Sequence, residues 1–236
     1  MITNLFVGLS IGANVVVANS YGAGRTEEIK ETLHTAMALA LISGVIVLTV
    51  GVLFAPDFLR MMSSPADVIG LASVYLRIYF LGMPALMVYN FGASMLRAVG
   101  DTKRPLYYLS FAGVVNVVLN LILVICFNLG VIGVATATAV SQYISAGLVL
   151  RCMIKEKGCL HFEFSSLRLN VGKMLRIMQI GIPAGLQQAM YTVANLVISA
   201  KVNSFGPDAT TGISIANQFD GILYQIVTAP ALAVMP

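Results

Sequence analysis

The longest uncharged run in this sequence lies between Arg104 and Arg151 and covers residues 105–150. A single α-helix of that many residues would be ~69 Å long, over twice the ~30 Å hydrocarbon core of a bilayer. The run must therefore fold back on itself, and Asn128-Leu129-Gly130 has the composition of the turn. It predicts two antiparallel membrane spans, 105–127 and 131–150.

Uncharged apolar segments recur along the rest of the chain. Only 10% of its residues are charged, against roughly 25% in an average soluble domain. The predicted spans are 1–24, 35–56, one from about 69 to 97, 105–127, 131–150, 177–200 and one that starts near 209. The fold class predicted from these segments is an all-α integral membrane protein.

Three prolines are expected to shape these spans. Pro56 is predicted to end the second one, because proline lacks the N–H that a helix interior needs. Pro84 interrupts the third span after Gly82, and Pro183 lies in the sixth span after Gly181. Both are predicted to bend their helices.

The basic residues are distributed unevenly between the two sides of the membrane. Eleven of the 14 Lys and Arg fall on one side, which is predicted to be cytoplasmic. This topology explains the net charge of +4 without a nucleic-acid partner. The polar stretch 151–176 lies on that side, and we interpret it as a linker between an N-terminal lobe, 1–150, and the start of a C-terminal lobe, 177–236.

Three stretches resemble the multidrug and toxic compound extrusion (MATE) family. The first begins with Gly8-x-x-x-Gly12, typical of close helix packing, and continues to ANSYGAGR at 18–25. The second is LRAVGDTKRP at 96–105, and the third is GVIGVATAT at 130–138. Their order and spacing carry the resemblance along nearly the whole chain.

The resemblance implies a transporter fold of two pseudo-symmetric six-helix lobes that alternate access by rocking. The seven predicted spans would be helices two to eight of twelve, so the sequence would hold the fold only in part. The implied protein is a monomeric Na⁺- or H⁺-coupled antiporter, without a cofactor, that exports organic, often cationic, compounds across a prokaryotic cell membrane. A lipid or lipid-linked oligosaccharide flippase of the same superfamily, and a membrane receptor or scaffold without transport, are the alternatives.

Asn116 and Asn120 lie four residues apart, and therefore on one face of the fourth span. Such amides either bond neighbouring helices or line a cavity. The resemblance implies that they form a cation site with Asn90, Thr138 and an Asp of helix one. Some branches of the family have Asp where this chain has Asn120, and an amide oxygen still suits Na⁺ although it binds no proton.

Further polar residues are expected in the second lobe. Asp220 is the only carboxylate well inside a predicted span, which favours a functional role over a structural pair. Gln187, Gln188 and Tyr191 follow Pro183 and are candidates for the substrate cavity.

No residue pattern indicates an enzyme. His34 and His161 are not spaced to pair with a cysteine or carboxylate, and the three cysteines lack metal-ligand spacing. The sequence therefore predicts a transporter without a catalytic or metal-cofactor site.

Overall fold

The computed structural model describes residues 2–61, 66–156, 158–203, 212–213, 215–221, 223–224 and 226–227. Its α-helices are α1 Ile2–Gly22, α2 Thr26–Met61, α3 Ala66–Leu81, α4 Met83–Ala98, α5 Lys103–Leu121, α6 Gly130–Lys155 and α7 Val171–Asn203. A π-helical turn, Ile122–Cys126, extends α5, and a 3-10 turn, Phe164–Ser166, lies in the linker. The described ranges contain no strand, so the predicted all-α membrane fold is confirmed.

Among the described residues, four helices are long and apolar enough to cross a membrane, namely α1, α2, α6 and α5 with its π-helical turn. α3 and α4 together make a fifth, broken span whose two parts meet at an angle of 41°. α7 covers the sixth predicted span but is more polar, because glutamine and asparagine recur along it. The turn predicted at 128–130 is present, with Asn128 and Gly130 both in the left-handed region.

The apolar span of α2 ends at Asp57, as predicted, but Pro56 does not end the helix, because α2 continues through it to Met61. Proline removes one hydrogen bond, to Val52, and membrane helices tolerate this loss where neighbouring groups compensate for it. The third span is bent as predicted, but the break lies at Gly82, and Pro84 occupies the first turn of α4, where no N–H is needed. α7 is one helix that includes Pro183, so a bend there stays a prediction.

α4 forms the centre of the packed helices and contacts α1, α2 and α6. The run from Phe91 to Leu96 is buried at every position, with Phe91 and Met95 fully enclosed. Gly92 lets α6 approach, since a side chain there would meet Val149 and Met153. The small residues at 92–94 thus lie between the large Phe91 and Met95, and three helices pack against α4.

The close packing predicted for Gly8 and Gly12 is confirmed, and the partner is α7. A Cβ atom added at Gly181 would lie 2.6 Å from the Cα of Leu9, and one added at Gly185 would lie 2.6 Å from the carbonyl oxygen of Leu5. Asn4 Nδ2 also donates to Thr192 Oγ1 at 2.9 Å across the same contact. Only glycine permits helix backbones to approach this closely.

The linker between α6 and α7 occupies 156–170, a little inside the predicted 151–176. It packs on the beginning of α2, where Phe162 stacks on His34 with ring centroids 5.5 Å apart. His34 Nε2 accepts the Glu163 N–H at 3.4 Å, and Thr35 Oγ1 accepts the Asn170 N–H at 3.3 Å. The linker is therefore an ordered part of the fold along the described positions.

The seventh predicted span is described only in pieces. Residues 215–221 are helical and include Asp220, which is exposed. Residues 204–211 and 228–236, on either side of this region, lie outside the described residues. The two-lobe division at 150 and 177 consequently remains a prediction.

Candidate cation site

A polar cluster lies between α5 and α6, inside two otherwise apolar spans. Asn116 Nδ2 donates to Ser141 Oγ at 3.2 Å and lies 3.5 Å from Thr138 Oγ1. Asn120 Nδ2 donates to Asn116 Oδ1 at 3.0 Å, one helical turn further along α5. We call these four residues, Asn116, Asn120, Thr138 and Ser141, the amide–hydroxyl cluster.

The local sequence explains why the four side chains meet. Asn116 and Asn120 are four residues apart on α5, while Thr138 and Ser141 are three apart on α6, so each pair shares a helix face. The tight turn before α6 and the lack of a side chain at Gly133, whose added Cβ would lie 3.1 Å from Leu123 Cβ, hold the two helices together. The cluster therefore follows from the antiparallel α5–α6 hairpin.

The hydrogen atoms of the two hydroxyls are already used. Thr138 Oγ1 donates to the Val134 carbonyl at 2.9 Å, and Ser141 Oγ donates to the Thr138 carbonyl at 2.8 Å. Serine and threonine in membrane helices commonly bond backward to their own backbone in this way. Their oxygen lone pairs consequently face Asn116 as acceptors.

Asn120 Oδ1 is buried and has no hydrogen-bond partner in the described part of the chain. If the oxygen and nitrogen of the Asn120 amide were exchanged, its oxygen would face the oxygen of Asn116, and two acceptors would meet without a donor. The hydrogen bond from Asn120 Nδ2 to Asn116 Oδ1 therefore fixes the orientation of the Asn120 amide. An unpartnered buried acceptor costs about 1–3 kcal/mol unless a ligand satisfies it. Within the described ranges, Asn120 Oδ1 is thus the oxygen of the cluster without a partner, whereas the side-chain oxygens of Asn116, Thr138 and Ser141 already accept from the two amides.

An apolar cavity of about 360 Å³ lies next to Asn120. It is lined by Val117, Asn120, Leu121, Val124 and Ile125, so Asn120 is its one polar lining residue. The lining includes two residues of the π-helical turn, a distortion that often marks functional sites in helices. An ion or small molecule that reaches this cavity meets an apolar wall and a single amide.

The cluster contains no ionisable side chain. Amide and hydroxyl oxygens are hard ligands that suit Na⁺, whereas a proton needs a group that changes its charge. No group of three or more His, Cys, Asp or Glu residues that could hold a metal ion occurs in the part of the chain that the structure describes. The chemistry available here is cation coordination by neutral oxygens.

The other predicted site residues do not join this cluster. Asn90 lies half-buried on α4, and no hydrogen bond connects it with the cluster in the described ranges. Gln187, Gln188 and Tyr191 are exposed on α7. The structure brings together Asn116, Asn120 and Thr138 of the predicted set.

Sequence reasoning missed Ser141. Its position three residues after Thr138 on a helical face was a usable signal, but serine is frequent in membrane helices and the spacing alone does not single it out. Gln142, whose Oε1 is also buried without a partner in the described ranges, was missed as well.

The apolar helices and the half-buried polar cluster between two of them define a multi-pass membrane protein of all-helical fold. A family model, MatE, matches residues 1–122, just over half of the chain. The chain therefore belongs to the MATE family, and the resemblance described above is confirmed.

Two curated relatives come from Bacillus subtilis (strain 168). The probable multidrug resistance protein YoeA is 26% identical over 99% of this chain and 52% of its own length. The probable multidrug resistance protein YpnP is 37% identical over 74% of this chain and 38% of its own length. The chain thus spans about half or less of the length of these relatives.

A solved structure has the same fold. The outward-facing conformation of a multidrug resistance MATE family transporter of the MOP superfamily superposes with a TM-score of 0.84 at 22% identity. The alignment covers 98% of this chain and 51% of that one. At this identity the likeness establishes the fold alone.

Proposed function

We propose that this protein exports organic, often cationic, compounds across the cell membrane by alternating access, coupled to the entry of Na⁺ or H⁺. The observation that carries the proposal is Asn120 Oδ1, which is buried within an apolar span and has no hydrogen-bond partner in the described ranges, on a residue that also lines an apolar cavity. The names of the relatives, both multidrug resistance proteins, support the substrate class. The amide–hydroxyl cluster is the proposed coupling site of the first lobe.

The neutral cluster favours Na⁺ as the ion bound there. A proton-coupled cycle needs a titratable group at membrane depth, and Asp220, in the seventh predicted span, is the proposed one. Asn90 is proposed as a further lining residue, and Gln187, Gln188 and Tyr191 as substrate contacts. Their exposure on α7 leaves them accessible to a solute in a cavity next to that helix.

The proposal also includes an orientation of the chain in the membrane. The linker that packs on α2 is placed in the cytoplasm, on the side that holds 11 of the 14 basic residues. A single cysteine at Ser166, introduced after Cys126, Cys152 and Cys159 are replaced by serine, is expected to react with a membrane-impermeant maleimide only in opened cells. Labelling of Ser166→Cys in intact cells would reverse the assignment.

The function is tested by dye efflux from cells that express the gene encoding this chain, with NaCl and pH gradients varied independently. We expect Asn116→Leu combined with Asn120→Leu to lower cation-driven efflux at least about tenfold, a change of ~1.4 kcal/mol. Val114→Leu, on the exposed face of the same helix, is the matched control. Unchanged efflux in the double variant, at equal expression, would reduce the cluster to interhelical bonding.

A further inference from the structure

Three consecutive residues of α6 contact two different features of the fold. Ser141 belongs to the amide–hydroxyl cluster. Gln142 and Tyr143 instead face the break between α3 and α4. One short stretch of a continuous helix thus touches both the proposed ion site and the point where a membrane span bends.

The break itself is a weak point in the backbone. Gly82 separates the two helices, which meet at 41°, and Pro84 lacks the N–H that would continue the ladder of α3. Glycine and proline together lower the resistance of a helix to bending at this point. The angle between α3 and α4 is therefore open to control by neighbouring groups.

α6 supplies such groups. The Tyr143 hydroxyl donates to the Leu81 carbonyl at 2.9 Å, which satisfies a backbone acceptor at the end of α3. A side chain at Gly82 would collide with Gln142 Oε1 and would come within 3.3 Å of the Cα of Ala139. The break is thus packed directly against α6, and the Tyr143 hydrogen bond holds the end of α3 to that helix.

Gln142 adds an unused acceptor at the same place. Its Oε1 is buried and unpartnered in the described part of the chain, like that of Asn120. Two buried acceptors without partners in the described ranges therefore lie at the two features that α6 contacts, namely Asn120 Oδ1 in the cluster and Gln142 Oε1 at the break. A small rotation of α6 changes the surroundings of both at once.

We propose that Ser141, Gln142 and Tyr143 couple cation occupancy of the amide–hydroxyl cluster to the angle between α3 and α4. The inference rests on the proposed function of that cluster. A cation that draws in Asn116, Asn120 and Ser141 pulls α6 toward α5, and Tyr143 transmits the movement to Leu81. Gly82 and Tyr143 are accordingly positioning residues that do not touch the ion.

The angle can be measured with two spin labels. Cysteines replace Leu71 on α3 and Arg97 on α4, both exposed, in protein whose native cysteines are serine. Electron–electron distance distributions are recorded in lipid nanodiscs with and without saturating NaCl, and at pH 5.5 and 8. We expect one cation to shift the distribution in the otherwise unaltered protein.

Tyr143→Phe and Gly82→Ala are expected to abolish that shift. Cation-driven efflux should fall about five- to tenfold, while the cation concentration for half-maximal efflux stays within about twofold, as for a positioning role. Tyr107→Phe, which removes an exposed hydroxyl on α5, is the matched control and should keep the shift. If Gly82→Ala does not fold, the milder Tyr143→Phe still decides the question.

A shift that persists in Tyr143→Phe overturns the inference, and so does the absence of any shift in a protein whose efflux depends on a cation. Efflux that depends on neither Na⁺ nor pH overturns the proposed function instead. The two failures are therefore distinguishable.

Discussion

α4 and α5 are neighbouring helices of similar length, 16 and 19 residues, yet their surroundings are opposite. Eleven residues of α4 are buried, whereas on α5 only Pro105 and Ala112 are. α4 is enclosed by three helices and filled with apolar side chains, while α5 packs chiefly on α6 and carries two asparagines. α4 therefore forms the core of the described fold, whereas α5 carries the two amides of the proposed ion site.

The largest expected effect tests the packing side of this comparison. Phe91→Ala in α4 should lower the free energy of unfolding by about 3–5 kcal/mol, because a fully enclosed ring leaves a cavity that its neighbours cannot fill. Phe111→Ala in α5, whose ring is 56% exposed, should cost less than about 1 kcal/mol. Thermal unfolding of purified protein in detergent measures both, and equal losses would show that the α5 face is covered as tightly as α4.

The next prediction tests whether ion coupling needs Asp220 in addition to the amides of α5. Asp220→Asn removes the charge from the seventh predicted span and should lower drug efflux at least about tenfold, since a proton-coupled cycle needs that group. Asn217→Ala, also in the described helical piece 215–221, is the control. Normal efflux in Asp220→Asn at normal expression would leave the amide–hydroxyl cluster on α5 and α6 as the proposed coupling site.

Asn120→Asp sharpens the comparison by giving α5 an ionisable group. An ionised carboxylate attracts Na⁺ more strongly than an amide, so Na⁺-driven efflux by the variant should become pH-dependent. The increase in Na⁺-driven efflux is present at high pH, where the carboxylate is charged. It is lost as the pH falls and the carboxylate is protonated. A series of efflux measurements between pH 5.5 and 8.5 tests this, with Asn120→Gln as the uncharged control. A pH profile identical to that of the parent would remove Asn120 from the ion site.

The smallest effect concerns one hydroxyl. Thr138→Val removes an acceptor 3.5 Å from Asn116 and should raise the Na⁺ concentration for half-maximal efflux about two- to fivefold, as expected for about 0.5–1 kcal/mol. Thr136→Val on the same helix is the matched control, because in the described ranges the Thr136 hydroxyl donates to the Ile132 carbonyl and not to the cluster. Equal effects of the two substitutions would mean that only helix stability has changed.

Much of the site could be anticipated because its spacing is local. Asn116 and Asn120 share a face by helical geometry, and Thr138 follows across a turn whose residues require left-handed backbone. Ser141 and Gln142 could not be selected in this way. Their roles depend on which helix each face of α6 meets, and that depends on residues far away in the chain.

By itself, the sequence determined the membrane class, the positions of the first five spans, the α5–α6 turn and the need for close packing at Gly8 and Gly12. These follow from charge and residue size, which act within one segment or against the bilayer. Only the tertiary structure decided that α7 is the partner of those glycines, that α2 continues through Pro56, and that the third span breaks at Gly82. It also left Asn120 Oδ1 buried without a partner in the described part of the chain, because a hydrogen bond exists only where packing brings a donor within reach.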